Sequence, residues 1–350
     1  MQRLYVLDKG NYLRKTGPNL ALYKDGKMVE EIPGAGLEQL VLMGYTSLSG
    51  AVIDFLIRNR VETVFLSPRG AFRGRLNIDE HKDVQRRCRQ YLHLSDKDFL
   101  LKTARSIVQG KLRNQARFLQ VAGQRNDQEH VLAMSLALRT IAGNVKETLE
   151  IDVLRGIEGH GANIYFRAFG HLLKNPDFSF TERTKRPPLD PTNALLSFIY
   201  TMLTNEVLSA VKTAGLDPYL GALHEPAYGR PSLACDLVEE WRTYLGDRLV
   251  LQLINRGTLG KDDFVFRDIS RTDFVDEHDL VKKRPVEMKP GITRALVQSY
   301  EKWMNTDVLV KELGHKLTYR GCILHQVRKF LAFIMGQTSE YQPFSLSGKM

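Results

Sequence analysis

The chain has little cysteine: three in 350 residues, Cys88, Cys235 and Cys322, far apart and without a C-x-x-C pair. That spacing excludes a disulfide framework and a zinc ribbon, and packed, reduced thiols are the expectation. The opening MQRLYVLDKGNYLRK lacks the basic start, long apolar middle and small-residue cleavage site of a secretory leader. No run of about 18 apolar residues occurs, so a soluble, cytoplasmic protein with no membrane partner is expected. There is no fixed-period repeat and no low-complexity tract, which excludes solenoid and compositionally disordered classes. What is left is an ordinary globular composition, 43% hydrophobic and 26% charged, at a length that favours two domains.

Acidic residues are outnumbered, 40 Asp and Glu against 50 Lys and Arg, for a formal charge of +10. The excess favours a polyanionic partner without identifying one. The basic residues are bunched. Arg69, Arg73, Arg75, Arg86, Arg87 and Arg89 form one run, Lys102, Arg105, Lys111, Arg113 and Arg117 continue it, and Arg183, Lys185 and Arg186 form another. Any one such run reads as a solvated face, whereas several together point to phosphate-backbone binding.

From Arg3 to about Arg75 the pattern is strands with one helix. Asp25-Gly26 is a two-residue hairpin signal, LEQLVLMG and VETVFLS read as strands, and Ser47 or Ser49 caps a helix reaching Ile57. Beyond Ile78 the period becomes helical. A long amphipathic helix starts at Ser95, and others are predicted over Glu129–Ala142, Ile151–Lys174, Asn193–Ala214 and Leu233–Ile254. The expected fold class is α+β: a small β-rich N-terminal domain, residues 1–78, then a larger all-helical domain, residues 79–338, and a tail, residues 339–350. Residues 257–290 read as a long functional loop or a short hairpin between helices.

Three stretches carry candidate chemistry. In LRGIEGHGANIYF, Glu158 stands between Gly156 and Gly159 inside a helix, where each glycine costs about 1 kcal/mol relative to alanine. Either the glycines allow close helix packing, or something must approach the backbone beside the carboxylate. In RPPLDPTNALLSFIYTML, Asp190 caps a helix and Pro191 occupies its first position. That helix leads into GLDPYLGALHEPAYGRPSLACDLVEEWR, where His224 sits on backbone pinned by glycine and proline, and Ser232 is the expected cap of the next helix. Asp236 and Glu239, three residues apart, share one face of that helix. Two carboxylates near a helix start can simply complement its dipole. Taken with Glu158 and His224 they form a mostly oxygen ligand set that suits Mg²⁺ or Mn²⁺ better than zinc. Beside a basic surface, that set points to metal-dependent phosphodiester chemistry on nucleic acid.

These stretches, with the N-terminal VLMGYTSLSGAVIDFLIRNRVETVFLSPRGAFRGRL, occur in the order of a known family. The chain resembles CRISPR-associated protein one, the metal-dependent DNA endonuclease and integrase of CRISPR adaptation. The resemblance implies Glu158, His224 and Glu239 as ligands of one Mg²⁺ or Mn²⁺, with Asp236 as a further catalytic acid. Some members have Asp where this chain has Glu239, whose longer side chain still reaches the ion. The resemblance also implies a homodimer formed through the β domains and a complex with CRISPR-associated protein two. The substrate would be double-stranded spacer DNA, whose 3′-hydroxyl attacks a repeat phosphodiester. Candidate DNA contacts are Arg69, Arg73, Arg75, Arg86, Arg87, Arg183, Arg186 and Arg230. Residues after Leu259 match the family poorly. The competing readings are a structure-specific repair nuclease that uses water at the same site, and a non-catalytic DNA-binding module.

Overall fold

A computed structural model describes residues 2–67, 70, 72–76, 81–185, 187–268, 285–310 and 312–345. Two compact units divide the chain, Met1–Glu80 and His81–Met350.

The first unit is built from two four-stranded sheets. In one, β1 (Gln2–Val6), β5 (Leu37–Met43) and β7 (Glu62–Leu66) run parallel, and β8 (Phe72–Leu76) pairs antiparallel with β7. In the other, β4 (Lys27–Ile32), β3 (Asn19–Lys24), β2 (Asn11–Thr16) and the short β6 (Ser47–Leu48) lie in that order. The β3–β4 turn is the predicted one, with Asp25 and Gly26 both at positive φ, as a two-residue hairpin loop requires. Ser49, not Ser47, caps α1 (Gly50–Arg58), accepting from the Val52 amide. Alternating apolar residues bury Val6, Leu13, Leu20, Leu40, Leu42, Val52 and Leu56 in one core.

The second unit centres on α3 (Lys97–Asn126), a thirty-residue helix that α4 (Glu129–Asn144), α5 (Ile151–His171) and α7 (Ser232–Trp241) contact. The predicted start at Ser95 resolves into two helices. The preceding α2 (Val84–Ser95) ends there, and Asp96 caps α3 by accepting from the Phe99 amide at 2.8 Å. Asp190 caps α6 (Pro191–Thr213) through the Asn193 amide at 2.7 Å, with Pro191 at the first position. Among the described residues α6 is the one helix long and apolar enough to cross a membrane, and most of its apolar window is buried inside the protein.

The segment predicted as one helix over Leu233–Ile254 is interrupted. A π-helical turn, Arg242–Asp247, separates α7 from α8 (Arg248–Asn255). Two short antiparallel pairs are added to the helical unit. β9 (Phe264–Phe266) pairs with β10 (Val286–Met288), and after α9 (Pro290–Met304), β11 (Asp307–Val310) pairs with β12 (His315–Thr318). The β9–β10 pair answers the hairpin alternative for residues 257–290, whose middle, 269–284, lies outside the described residues. The last helix is α10 (Tyr319–Ile334).

Beyond α10, the described part of the segment expected to be a tail, residues 339–345, is non-helical but docked. Tyr341 is buried, and Phe344 stacks on Trp241 with ring centroids 4.2 Å apart. Its backbone also binds: the Phe344 amide donates to Glu240 Oε2 at 2.6 Å, and Asn114 Nδ2 donates to the Phe344 carbonyl at 2.8 Å. Pro343 passes so close to α3 that a Cβ on Gly110 would lie 2.4 Å from it. Burying the Tyr341 ring and stacking Phe344 on Trp241 outweighs the polar look of SEYQPF.

Candidate metal centre

Four elements contribute to the site. Glu158 comes from α5, Lys111 from α3, Asp236 and Glu239 from α7, and His224 from the loop between α6 and α7. The glycine that lets α5 approach α3 is Gly161, where a Cβ would meet Leu112 at 2.3 Å. Around Gly156 and Gly159 there is open space, so helix packing does not account for them.

The loop is fixed by a single carboxylate. Asp236 Oδ2 accepts from the Ala222 amide at 2.6 Å and the Leu223 amide at 3.0 Å, while Oδ1 accepts from the His224 amide at 3.0 Å. The same Oδ1 lies 2.7 Å from His224 Nδ1. A carboxylate accepts, so Nδ1 carries a proton, and in the neutral imidazole that leaves the lone pair on Nε2. Asp236 is fully buried and its oxygens are occupied, which makes it a positioning residue for His224 and not a metal ligand. Gly221 permits this arrangement, because a Cβ there would sit 2.4 Å from Asp236 Oδ2. Ser232 does not cap α7 as predicted. Pro231 is the capping residue, and the Ser232 hydroxyl donates to the Glu225 carbonyl at 3.0 Å. Arg155 Nε holds the loop from α5, donating to the Leu223 carbonyl at 2.9 Å.

Charge is concentrated on the other side. Lys111 Nζ forms an ion pair with Glu158 Oε1 and lies 2.8 Å from Glu239 Oε2. Arg242, the first residue of the π-helical turn, pairs with Glu239 Oε1 at 2.8 Å. Burial alone would push the Glu239 carboxyl up, but Arg242 and then Lys111 overcome it and hold it down at about 2. Burial alone would lower Lys111, yet Glu239 and Glu158 raise it, so the ammonium stays charged.

Of the sequence-predicted ligands, Glu158 and Glu239 meet through Lys111, while His224 is oriented separately by Asp236. Among the described residues no three His, Cys, Asp or Glu side chains stand close enough to hold a metal as they are. The residues nevertheless fit a cation. A positive charge already bridges the two carboxylates, and Glu239 Oε2, sealed from water, takes no aligned hydrogen bond.

The basic candidates divide. Arg69 and Arg186 lie outside the described residues. Arg73 is exposed, its guanidinium 5.3 Å from the Tyr45 ring. Arg86 pairs with Asp83 at 2.9 Å and donates to the Ala214 carbonyl, and Arg87 donates to the His81 carbonyl. Arg230 donates to the Glu225 carbonyl, within the loop. Two further candidates are engaged by neighbours within the protein. Arg75 is nearly enclosed against Glu62. Arg183 donates to Asn193 Oδ1 at 2.7 Å and Ser197 Oγ at 3.0 Å and lies over the Tyr200 ring. Sequence reasoning placed Lys111 in a basic run and did not single out Arg242. No periodicity distinguishes a buried lysine from its exposed neighbours.

A β-rich unit followed by a larger helical unit is an architecture shared with known proteins. Residues 4–272 match the family model described as CRISPR associated protein Cas1. The chain belongs to that family. It is 34% identical over 345 residues to "CRISPR-associated endonuclease Cas1 3" of Thermus thermophilus, covering 98% of this chain and 97% of the relative. Among solved structures, a casposase bound to integration product matches all of this chain and 96% of its own at 20% identity, TM-score 0.82. A chain of a Cas6-RT-Cas1–Cas2 complex matches 99% of this chain, over 36% of its own length, also at 20% identity and TM-score 0.82.

Proposed function

We propose that the protein is a metal-dependent DNA endonuclease and integrase of CRISPR adaptation, which joins the 3′-hydroxyl of incoming duplex DNA to a phosphodiester of the CRISPR repeat. The observation that carries the reading is the cation already held between Glu158 and Glu239, beside a histidine locked by Asp236. Glu158, Glu239 and His224 Nε2 would hold one Mg²⁺ or Mn²⁺, the hard ions that carboxylate-rich sets favour. When bound, such an ion polarises the target phosphate and stabilises the leaving oxygen. Asp236, by accepting from Nδ1, would leave Nε2 free to serve the ion as a neutral ligand. Arg242 keeps Glu239 ionised, and the open space at Gly156 and Gly159 admits a DNA backbone beside Glu158.

Partner calls belong to the same reading. Double-stranded DNA is the substrate, Cas2 the assembly partner and the cytoplasm the compartment. Its Cas2 pairing draws on the complex named in the fold comparison. A homodimer would form through the β-rich unit, whose edge strand β4 exposes Met28 and Val29. Light scattering tests this: Met28→Lys with Val29→Lys should convert a dimer into monomers, and a surviving dimer would place the interface elsewhere.

The activity is tested by incubating a 3′-hydroxyl duplex with supercoiled plasmid and Mn²⁺. Joined products are expected, and Glu158→Ala, His224→Ala and Glu239→Ala should each abolish them while duplex binding persists. Nicks without joining would favour the hydrolytic nuclease reading instead.

A further inference from the structure

Lys111 is the residue the proposed chemistry does not use. It is 6% exposed, and its ammonium lies against two carboxylates from different helices, Glu158 of α5 and Glu239 of α7. Without a cation at that point the buried Glu239 carboxylate and the half-buried Glu158 carboxylate would repel one another. The four contacting charges, Glu158, Glu239, Lys111 and Arg242, sum to zero. Lys185 is near enough for its charge to act on the group as well, adding a further positive contribution. A divalent ion arriving alone would therefore enter a balanced or already positive cluster.

We propose that Lys111 is the resident counter-cation of the metal-free site and becomes a phosphate ligand, so that the divalent ion takes the carboxylates only as a DNA phosphodiester takes the ammonium. This rests on the metal-dependent reading above. An ion bound to Glu158 and Glu239 displaces the ammonium from both partners, and a buried ammonium cannot remain unpaired. The anion that enters with the substrate is the phosphodiester, and the space beside Gly156 and Gly159 on Glu158's own helix is open to receive it. Metal and DNA then bind with positive coupling, which by thermodynamic linkage is reciprocal. The device restrains the metal centre until substrate arrives.

The experiment is calorimetric titration of the full chain with Mn²⁺, with and without a duplex whose ends lack the 3′-hydroxyl, so that binding is read without turnover. For the wild type, DNA should tighten Mn²⁺ binding by about tenfold or more, within the usual span of coupling between sites. Lys111→Met should bind Mn²⁺ about tenfold more tightly than wild type in the absence of DNA, and DNA should then change its affinity by less than about threefold. Lys111→Arg, which keeps the charge, should behave as wild type in both titrations. If Lys111→Met does not fold without metal, Lys111→Gln, which can hydrogen-bond both carboxylates, carries the same expected shifts. A charge-free variant that binds Mn²⁺ no more tightly than wild type, or that keeps the full coupling, overturns the proposal. A wild type that binds no Mn²⁺ in either titration overturns the metal-dependent reading itself.

Discussion

Asp236 gives the sharpest separation of a positioning role from a ligand role. Replacing it with alanine removes the acceptor of three backbone amides, those of Ala222, Leu223 and His224, in a fully buried place. Each buried donor left without a partner costs roughly 1–3 kcal/mol, so the sum is on the order of 3–9 kcal/mol. That is comparable to the whole stability of a typical domain, about 5–15 kcal/mol. Asp236→Ala should therefore unfold the loop, and its inactivity would be uninformative. Asp236→Asn is the useful change. It keeps one oxygen, but its amide group turns a donor towards donors, either the Ala222 and Leu223 amides or the His224 pair. We expect a loss of about 2–4 kcal/mol in urea denaturation, for one or two forfeited bonds to a charged acceptor. Mn²⁺ affinity should fall by roughly 10–100-fold, the usual effect of losing the group that orients a ligating histidine. Gly221→Ala should reproduce both effects without touching a polar side chain, because its Cβ would collide with Asp236 Oδ2. If Asp236→Asn retained wild-type stability and Mn²⁺ affinity, the assignment of Asp236 as the anchor of His224 would be wrong.

Three further outcomes are expected. Asp247 is buried against the hydroxyls of Tyr165 and Tyr200, and burial raises its pKa from 3.8 to about 6. The unfolded chain gives up this proton first, so this group's contribution to stability is full below about pH 4 and is lost as pH rises to about 6, about 3 kcal/mol in total. Glu240, which burial raises to about 7, adds to the slope in the same range, so in urea denaturation Asp247→Asn should make the slope shallower without abolishing it, and an unchanged slope would refute the assignment. Gly159→Ala should raise the melting temperature, since alanine gains about 1 kcal/mol in a helix with nothing to clash against. Its duplex affinity, read by fluorescence anisotropy, should fall, and undiminished binding would remove Gly159 from the DNA path. Tyr341→Phe deletes the hydroxyl that donates to Glu240 and accepts from Gln326 at 3.0 Å, and should cost about 2 kcal/mol in urea denaturation. A change below about 0.5 kcal/mol would mean that the C-terminal segment does not brace α7.

The two-part architecture was legible because it rests on local rules. Asp25-Gly26 supplies the positive φ of a hairpin, Asp190 and Pro191 begin a helix in the way their chemistry dictates, and the change from alternating to helical periodicity is abrupt after the first unit. The candidate acids and histidine were legible too, as residues in pinned or glycine-flanked settings. What those residues do to one another was not. That Asp236 spends its oxygens on a loop 12 to 14 residues earlier depends on how the loop folds back. That Lys111 lies inside depends on α5 and α7 bringing acids from 47 and about 128 residues away. The docking of Tyr341 and Phe344 was invisible for the same reason: their partners, Glu240, Trp241 and Gln326, are set by tertiary packing. Ser232 misled because a serine at a helix start usually caps it, and here its hydroxyl is drawn to the Glu225 carbonyl.

The central claim is that Glu158, His224 and Glu239 hold one divalent ion. Its most direct test is anomalous diffraction from crystals of the protein bound to duplex DNA and soaked in Mn²⁺. The account predicts a single anomalous peak within about 2.0–2.4 Å of a Glu158 oxygen, a Glu239 oxygen and His224 Nε2, the range expected for a hard divalent cation, with Lys111 Nζ moved off both carboxylates. A peak that leaves out two of these three side chains, or none at saturating Mn²⁺ with Lys111 still between Glu158 and Glu239, would contradict it.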